Sequence, residues 1–429
     1  MAMDTTGLAA ALSTERRLLH AHAESGFTEF WTASHVAKAL HDAGWEVKIG
    51  KDIMNKDFMM GLPAPGVLAK CRDRALAEGA DPAFVARMGG GFTAVAGVMS
   101  NGPGPVNAFR FDMDAVDVQE SGDPEHFPAR EGFVSVHDGA MHACGHDGHT
   151  SIGLALARML AGNKDAWSGT IKLVFQPAEE GVRGARSISE SGFLDDVDNV
   201  VAGHLGILPD GTDRFHCGVG DFLATSKLDF HFQGVSSHAG MSPEKGRSAL
   251  LAAAATAVHL SGIARHGGGA TRINVGRMEA GTGRNVVPEK GLLVIETRGA
   301  DSALNAYVEE ESIRIAEGQA HAYGVNLRVE RAGGALSSVS DPGLMELAAA
   351  CATEAGYGRI SHDALPLGGS EDFSYMMERV RGNGGKALYV VFGSDLAGPH
   401  HNGRFDFREA DLVKPVLTLF NMAGRLSDR

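Results

Sequence analysis

The chain has 429 residues, of which 44% are hydrophobic and 21% charged, which is ordinary usage for a globular protein with sizeable cores. Its 39 basic and 53 acidic residues give a net charge of −14, which disfavours a nucleic-acid partner. No apolar run approaches the ~20 residues of a membrane span, and no secretory signal is expected within Met1 to His20. We therefore expect a cytoplasmic protein of about two or three domains, without a membrane partner.

The first part of the chain alternates predicted helices and strands, which is typical of an α/β sheet covered by helices on both faces. Apolar periodicity predicts a helical segment over 8–40 with a break at 24–26. Residues 51–90 are less regular, and we interpret them as an insertion that decorates the core. The other predicted elements are strands over 44–49, 92–98, 106–111, 171–175 and 200–203 and a helix over 151–160.

From about residue 221 to residue 332 the predicted elements follow a different order. This order, β-α-β-β-α-β, is that of a ferredoxin-like unit. The chain then returns with a helix over 342–355 and a strand over 387–392. The sequence therefore predicts two domains. The larger α/β domain takes residues 1–219 and 334–429, and the inserted ferredoxin-like domain takes 220–333.

The densest chemical signal is the run Met141 to Thr150, which contains one cysteine and three histidines and precedes a predicted helix. Thiolate and imidazole are common ligands of zinc and related metals, so the run favours a metal site. A histidine-rich surface loop is the alternative interpretation. Only part of the cluster could bind one ion, because adjacent side chains diverge.

Three further patches follow apolar strands: Glu179 and Glu180 in a Gln-Pro-Ala-Glu-Glu-Gly run, His204 at a strand end, and a His-His pair at 400–401. Sheets of α/β proteins place their sites at strand ends. Taken alone, a Glu-Glu pair is more often a solvated turn, and a lone strand-end histidine is more often structural. Four ligand-rich patches together favour a metal site.

Several motifs, in this order and spacing, resemble those of the metal-dependent amidohydrolases that include aminoacylases, hippurate hydrolases and auxin-conjugate hydrolases. Within that family the chain most resembles the aminobenzoyl-glutamate utilization proteins of the A-subunit type. The features pointing there are the 51–90 segment, Asp117 and a Glu-Thr-Arg-Gly run at 296–299. The matching family motifs lie at 111–115, 141–150, 175–181, 237–239 and 369–373 and in the terminal histidine pair.

The resemblance implies two neighbouring divalent ions, manganese or zinc, bridged by Cys144. The last ligand is expected to be His401, with His400 as the alternative. Arg110 stands where distant relatives have a ligating histidine, which His146 would replace. The implied metal ligands are Cys144, His146, Glu180, His204 and His401.

The resemblance also implies catalytic roles. Glu179 would be the general base that takes a proton from metal-activated water, and Asp112 would orient a ligand imidazole. His238, in the inserted domain, would stabilise the oxyanion across a dimer interface. Asn285 and Arg298 would bind substrate, although a structural ion pair is an alternative for Arg298.

By the same resemblance, we expect hydrolysis of p-aminobenzoyl-glutamate to p-aminobenzoate and glutamate, with the inserted domain acting as a lid and in dimerisation. One alternative is a hydrolase of other N-acyl amino acids, such as hippurate, acetyl or indole-acyl conjugates. Another is a chain that is active only with a homologous partner. The expected partners are therefore a small acyl-amino-acid substrate and either a second copy, in a homodimer, or a homologous B subunit, in a heterodimer.

Overall fold

The structure, a computed structural model, describes residues 5–207 and 211–427. Within these ranges the chain divides into two compact units. Unit 1 takes the residues up to Gly220, 338–367 and those from Asp372 onward, and unit 2 takes 221–337 and 368–371. The first four residues, part of the segment in which no secretory signal is expected, lie outside the described residues.

The first segment of unit 1 runs from the N-terminal helix to a short strand at Gly220. Its elements begin with two helices, of which the second packs beside an edge strand, and they end with a seven-residue strand and two short ones. In chain order they are α1 (Thr5–Ala21), α2 (Phe30–Asp42), β1 (Glu46–Ile49), α3 (Pro65–Ala77), α4 (Pro82–Val85), β2 (Val95–Asn101), β3 (Val106–Asp112), α5 (Phe127–Glu131), α6 (His146–Gly162), β4 (Gly169–Gln176), α7 (Ala185–Ser189), β5 (Asn199–Leu205), β6 (Arg214–His216) and β7 (Val219–Gly220).

Unit 2 is a four-stranded antiparallel sheet with two helices. Its elements are β8 (Ala224–Gln233), α8 (Ala249–Leu260), β9 (Thr271–Ala280), β10 (Lys290–Gly299), α9 (Ser302–Tyr323) and β11 (Asn326–Ala335). The described strands lie in the order β11-β8-β10-β9, which is the ferredoxin-like topology expected from the sequence. The two helices begin where they do because Ser248 and Asp301 cap them, each accepting a bond from a backbone N–H three residues on.

The chain then returns to unit 1 and completes its large sheet. The returning elements are α10 (Pro342–Glu354), β12 (Arg359–Ser361), β13 (Leu365–Pro366), α11 (Ser374–Gly382), β14 (Lys386–Phe392) and α12 (Val413–Ser427). The return inserts β14 into the middle of the sheet, beside β5.

In the described part of unit 1, eight strands form one mixed sheet in the order β1-β2-β4-β3-β5-β14-β6-β12. Its central four strands, β4, β3, β5 and β14, are mutually parallel. These strands are buried along nearly their whole length, as expected for a parallel sheet with helices on both faces. The predicted α/β class with an additional ferredoxin-like unit is confirmed.

The boundaries between the units lie close to those read from the sequence. The sequence divides the chain at 219/220 and 333/334, whereas contacts in the structure divide it at 220/221 and 337/338. The segment 51–90 packs into the main core of unit 1 through side chains such as Leu68 and Met88. Among the described helices, none is both long enough and apolar enough to cross a lipid bilayer.

Candidate metal centre

The candidate site lies at the carboxyl ends of the four parallel strands. Asp112, the last residue of β3, pairs in register with Gln176, the last residue of β4. His204 near the end of β5 lies opposite Val391 of β14. Because parallel strands end at a common edge of the sheet, the loops that follow them converge there.

The cysteine and histidine run enters the site at the beginning of α6. Cys144 precedes Gly145, which takes the left-handed backbone (φ +91°) that a glycine tolerates, and the helix begins at His146. The sequence predicts this helix only from residue 151, which is wrong: its first turns carry polar residues that resemble a loop in the sequence. Asp147 in the first turn suits the positive end of the helix dipole.

The predicted ligands fall into two groups of three that share the cysteine. Cys144, His146 and His204 form one group, in which all ligand atoms lie within 4.8 Å of one another. Cys144, Glu180 and His401 form the second group under the same distance limit. A thiolate has more than one lone pair, so this sharing is the arrangement in which Cys144 could bridge two ions.

The two buried histidines of the first group are oriented in the same way. Nδ1 of His146 lies 2.9 Å from the carbonyl oxygen of Asp114, and Nδ1 of His204 lies 2.9 Å from that of Leu205. A carbonyl can only accept, so each ring is protonated at Nδ1 and presents Nε2. Nε2 of His146 is buried and makes no hydrogen bond, and Nε2 of His204 lies 3.5 Å from the sulfur of Cys144.

The electrostatics of these groups also suits a cation. Burial raises the pKa of the Cys144 thiol to about 12, so a thiolate at neutral pH requires a compensating positive charge. Burial, together with the neighbouring His149 and His400, lowers the pKa of His204 well below its usual range. Its imidazole is therefore neutral, as a metal ligand must be. The donor set of sulfur, imidazole nitrogen and carboxylate oxygen fits divalent transition metals.

Asp112 binds an imidazole, but that of His149. Its Oδ1 lies 2.6 Å from Nδ1 of His149, and Nε2 of the same ring accepts the backbone N–H of Leu205 at 2.9 Å. Both nitrogens of His149 are thus used, which leaves this ring no free donor for an ion. The distance from Asp112 to Nε2 of His146 is 3.8 Å. The sequence places His149 in the histidine-rich run but indicates neither a role for it nor this pairing.

Arg110 forms buried ion pairs with Asp112 and Asp372. It is fully buried, and its guanidinium binds Oδ2 of Asp112 at 2.5 Å and Oε1 of Gln176 at 2.8 Å. Burial alone would raise the pKa of Asp112, but Arg110 and the imidazoles of His146 and His149 lower it well below its usual range. Asp112 therefore stays ionised, and the residue that stands in the ligand position of distant relatives supports the site through this ion pair.

The loop after β4 carries Glu179 and Glu180 on a backbone held by Asp114. Oδ1 of Asp114 accepts the N–H of Glu179 at 3.0 Å, and Oδ2 accepts that of Glu180 at 2.9 Å. Oε2 of Glu179 lies 3.9 Å from Nε2 of His146. The sequence shows Asp114 only as part of a family motif, and its spacing two residues after Asp112 is the signal that could have found it. The base candidate therefore lies beside the first ligand group.

The two histidines of the pair at 400–401 make different contacts. Nε2 of His400 lies 2.9 Å from the carbonyl oxygen of Gly206, and its ring packs against Phe405. His401, in a left-handed backbone conformation (φ +59°), brings its Nε2 within 3.1 Å of Oε1 of Glu180. His401, not His400, belongs to a ligand group among the described residues.

Three predicted site residues lie in unit 2. Nδ1 of His238 accepts the N–H groups of Gly240 and Met241, both at 3.1 Å, so its proton is on Nε2. The carbonyl of Asn285 accepts the N–H of Ala239 at 3.0 Å, which brings the Asn285 loop beside His238.

The third residue, Arg298, is engaged within its own strand. Its guanidinium forms an ion pair with Glu296 at 3.0 and 3.1 Å. This is the structural pairing that is the alternative to substrate binding, and the substrate role of Arg298 stays a prediction.

Comparison with known families and proteins gives consistent results. The family model described as peptidase family M20/M25/M40 matches residues 108–424. The chain is 46% identical to the A subunit of p-aminobenzoyl-glutamate hydrolase of Escherichia coli (strain K12), over 97% of this chain and 96% of that protein. It is 48% identical to indole-3-acetyl-aspartic acid hydrolase of Enterobacter agglomerans, over 94% of this chain and 93% of that protein.

Among solved structures, the chain is similar to an aminobenzoyl-glutamate utilization protein from Klebsiella pneumoniae. The TM-score is 0.83 at 38% identity, and the match covers 98% of this chain and 97% of the other. The similarity therefore extends over both units and is not confined to the metal-ligand motifs.

Proposed function

This chain belongs to peptidase family M20/M25/M40, and from that membership we propose that it is a two-metal amidohydrolase cleaving p-aminobenzoyl-glutamate to p-aminobenzoate and glutamate. The observation that carries the substrate is the 46% identity, over nearly the full length of both chains, to the A subunit of p-aminobenzoyl-glutamate hydrolase. The two ligand groups that share Cys144 support the metal-dependent chemistry.

The proposed ligands are Cys144 as the bridge, His146 and His204 on one side, and Glu180 and His401 on the other. A pair of divalent ions bound there would polarise the substrate amide and lower the pKa of a water molecule. The backbone carbonyls that accept from Nδ1 of His146 and His204 leave Nε2 of each ring as the nitrogen that would bind a metal ion.

Glu179 would act as the general base in this site. Its carboxylate accepts a proton from the attacking water and then passes it to the nitrogen of the leaving amino acid. Asp112 would orient His149, whose ring packs against those of His146 and His204. In unit 2, His238 presents an Nε2–H that would donate, across a dimer interface, to the oxyanion developing in the partner subunit, and Asn285 and Arg298 would bind the substrate.

A second candidate substrate is an N-acyl aspartate. The 48% identity to indole-3-acetyl-aspartic acid hydrolase favours it as a specific alternative. The names of both relatives describe an acyl group joined to an acidic amino acid, so we propose acidic amino-acid conjugates as the substrate class. Hippurate and N-acetyl amino acids are then expected to be poorer substrates.

The test is the initial rate of amino-acid release by the purified chain, loaded with manganese or with zinc. p-Aminobenzoyl-glutamate, indole-3-acetyl-aspartate and hippurate should be assayed side by side at equal concentrations. Rapid release of glutamate from the first substrate supports the proposal. Faster release of aspartate from the second would favour the alternative, and release from hippurate alone would contradict both.

The Escherichia coli relative is named as one subunit of its hydrolase, which supports the expectation of a partner subunit. We propose that the working form is either a homodimer or a heterodimer with a homologous B subunit, joined through unit 2. Assays with and without a co-expressed B subunit, together with the mass in solution, distinguish these forms. A monomer with full activity would contradict both.

A further inference from the structure

A buried glutamate from the N-terminal part of the chain reaches the loop that carries the proposed base. Glu29, at the start of α2, is fully buried. Its Oε1 accepts the backbone N–H of Ala178 at 2.9 Å, and its Oε2 accepts the hydroxyl of Thr93 at 2.7 Å. Ala178 immediately precedes Glu179, so this carboxylate acts one residue from the base.

The contact with Ala178 completes a set of three consecutive amides. Glu29 accepts from residue 178, and Asp114 accepts from residues 179 and 180. Ala178 is fully buried and adopts a left-handed backbone (φ +53°), a conformation that is unfavourable for residues with a Cβ atom. Such a conformation persists only when the surrounding contacts enforce it. Residues with strained backbone conformations are concentrated at active sites.

The chain segment just before Glu29 packs closely against Ala178. A Cβ atom at Gly26 would lie 2.8 Å from Cβ of Ala178, so only glycine permits this close approach. The N-terminal segment is therefore fitted to the loop by packing as well as by the hydrogen bond of Glu29.

We propose that Glu29 is a positioning residue for catalysis, which holds the Ala178 amide and thereby fixes the backbone from which Glu179 and Glu180 project. This inference rests on the proposed hydrolase function, since it assigns the base to Glu179. The physical reason is that adjacent residues with different tasks need a loop of one defined conformation. A misplacement of about 1 Å in such a site is costly for rate.

The test begins with Glu29→Ala. We expect kcat for p-aminobenzoyl-glutamate to fall about 10- to 100-fold, as for other groups that orient the residues around a metal site, with KM and metal content close to wild type. In Glu29→Gln the amide oxygen still accepts from Ala178 and the amide NH2 can donate to Thr93, so kcat should largely recover. Burial and nearby Asp114 raise the pKa of Glu29 to about 8, so the neutral amide is a close mimic of this side chain.

Glu24 provides a matched control. It is equally buried and lies on the same segment, but its carboxylate accepts the backbone N–H groups of Trp31 and Thr32 in α2. Glu24→Ala should lower stability while kcat per folded, metal-loaded chain stays at the wild-type value. A kcat loss in Glu24→Ala equal to that in Glu29→Ala would overturn the proposal, as would an equal loss in Glu29→Gln.

A second measurement does not depend on turnover. Hydrogen–deuterium exchange of the peptide covering 178–184 should accelerate in Glu29→Ala and stay unchanged in Glu24→Ala.

A further variant is needed if Glu29→Ala fails to fold. Thr93→Val preserves side-chain volume and removes the hydroxyl that orients Oε2 of Glu29. It should change kcat and the exchange rate in the same direction as Glu29→Ala, but by less. Unchanged exchange in the variants would contradict positioning. Wild-type protein that is folded, metal-loaded and inactive on the substrate would contradict the proposed function instead, while the exchange comparison would still decide the role of Glu29.

Discussion

The two units of the chain hold their charged side chains in opposite ways. In the candidate site of unit 1, most acids and bases are buried and bound to one another, as Arg110 and Asp112 are, and His401 is the exposed exception. On the sheet of unit 2, charges are exposed in pairs along single strands, such as Arg277 with Glu279. Burial fixes the position and charge state of a group but depends on every partner, whereas an exposed pair is weak and adaptable. The buried groups of unit 1 should therefore be sensitive to the loss of any one partner, whereas exposed pairs such as Arg277 with Glu279 should tolerate change.

The largest effect should come from the base proposed in unit 1. In Glu179→Gln the amide cannot accept the proton, so we expect kcat to fall about 10²- to 10⁴-fold, with metal content unchanged. Steady-state kinetics and metal analysis of the purified protein measure both. Glu190→Gln, which removes a partly exposed carboxylate beside Arg379, should keep full activity. Turnover near wild type in Glu179→Gln would refute the assigned role.

The next largest effect is expected on the stability of unit 1, when one buried charge is removed. Arg16 is fully buried and binds Asp147 at 2.9 Å and Asp406 at 2.6 Å. Arg16→Met leaves both acids without this partner, so we expect the free energy of unfolding to fall by about 3–5 kcal/mol. Denaturant titration measures the change. A loss below about 1 kcal/mol would mean that the network relaxes as easily as a surface pair.

A smaller effect is expected if unit 2 takes part in hydrolysis through His238. His238→Ala removes the proposed Nε2–H donor, and loss of one oxyanion donor typically costs about 10²- to 10³-fold in kcat. His259→Ala, which alters an exposed histidine of α8, is the control in the same unit and should keep wild-type kinetics. Equal kinetics for both variants would confine the chemistry to unit 1.

The smallest effect is expected on the open sheet of unit 2. Arg277→Met breaks the exposed pair with Glu279, and the free energy of unfolding should change by less than about 1 kcal/mol. The change is read from the same denaturant titration as for Arg16→Met. A loss of the same size as that of Arg16→Met would remove the contrast between the two units.

Much of the fold is predictable because its long elements have clear periodicity. The four strands and two helices of unit 2 follow the expected order, and β3, β4, β5 and β14 all coincide with predicted strands. Strands β6, β7, β12 and β13 have only two or three residues, too few for any pattern. The beginning of α6 escapes prediction because its first residues, His146 to His149, are polar in sequence yet buried in the structure.

The candidate ligands can be read from local motifs, but the groups that hold them cannot. Cys144 and His146 lie within three residues of other histidines, so the sequence alone shows that they belong to a metal-binding motif. Glu29 reaches Ala178 across 149 positions of sequence, and its own surroundings in the chain carry no signal of that contact. Long-range hydrogen bonds of this kind depend on the tertiary fold.

The position of β14 determines the order in which the site is assembled during synthesis. This strand lies between β5 and β6, yet all of unit 2 separates it from them in sequence. Domains form largely as units while the chain emerges from the ribosome, so unit 2 can fold before β14 is made. Cys144, His146 and His204 are then already present in the nascent chain, whereas His401 follows only after β14. The two ligand groups are therefore completed at different times, and the second only after unit 2 and β14 have been made.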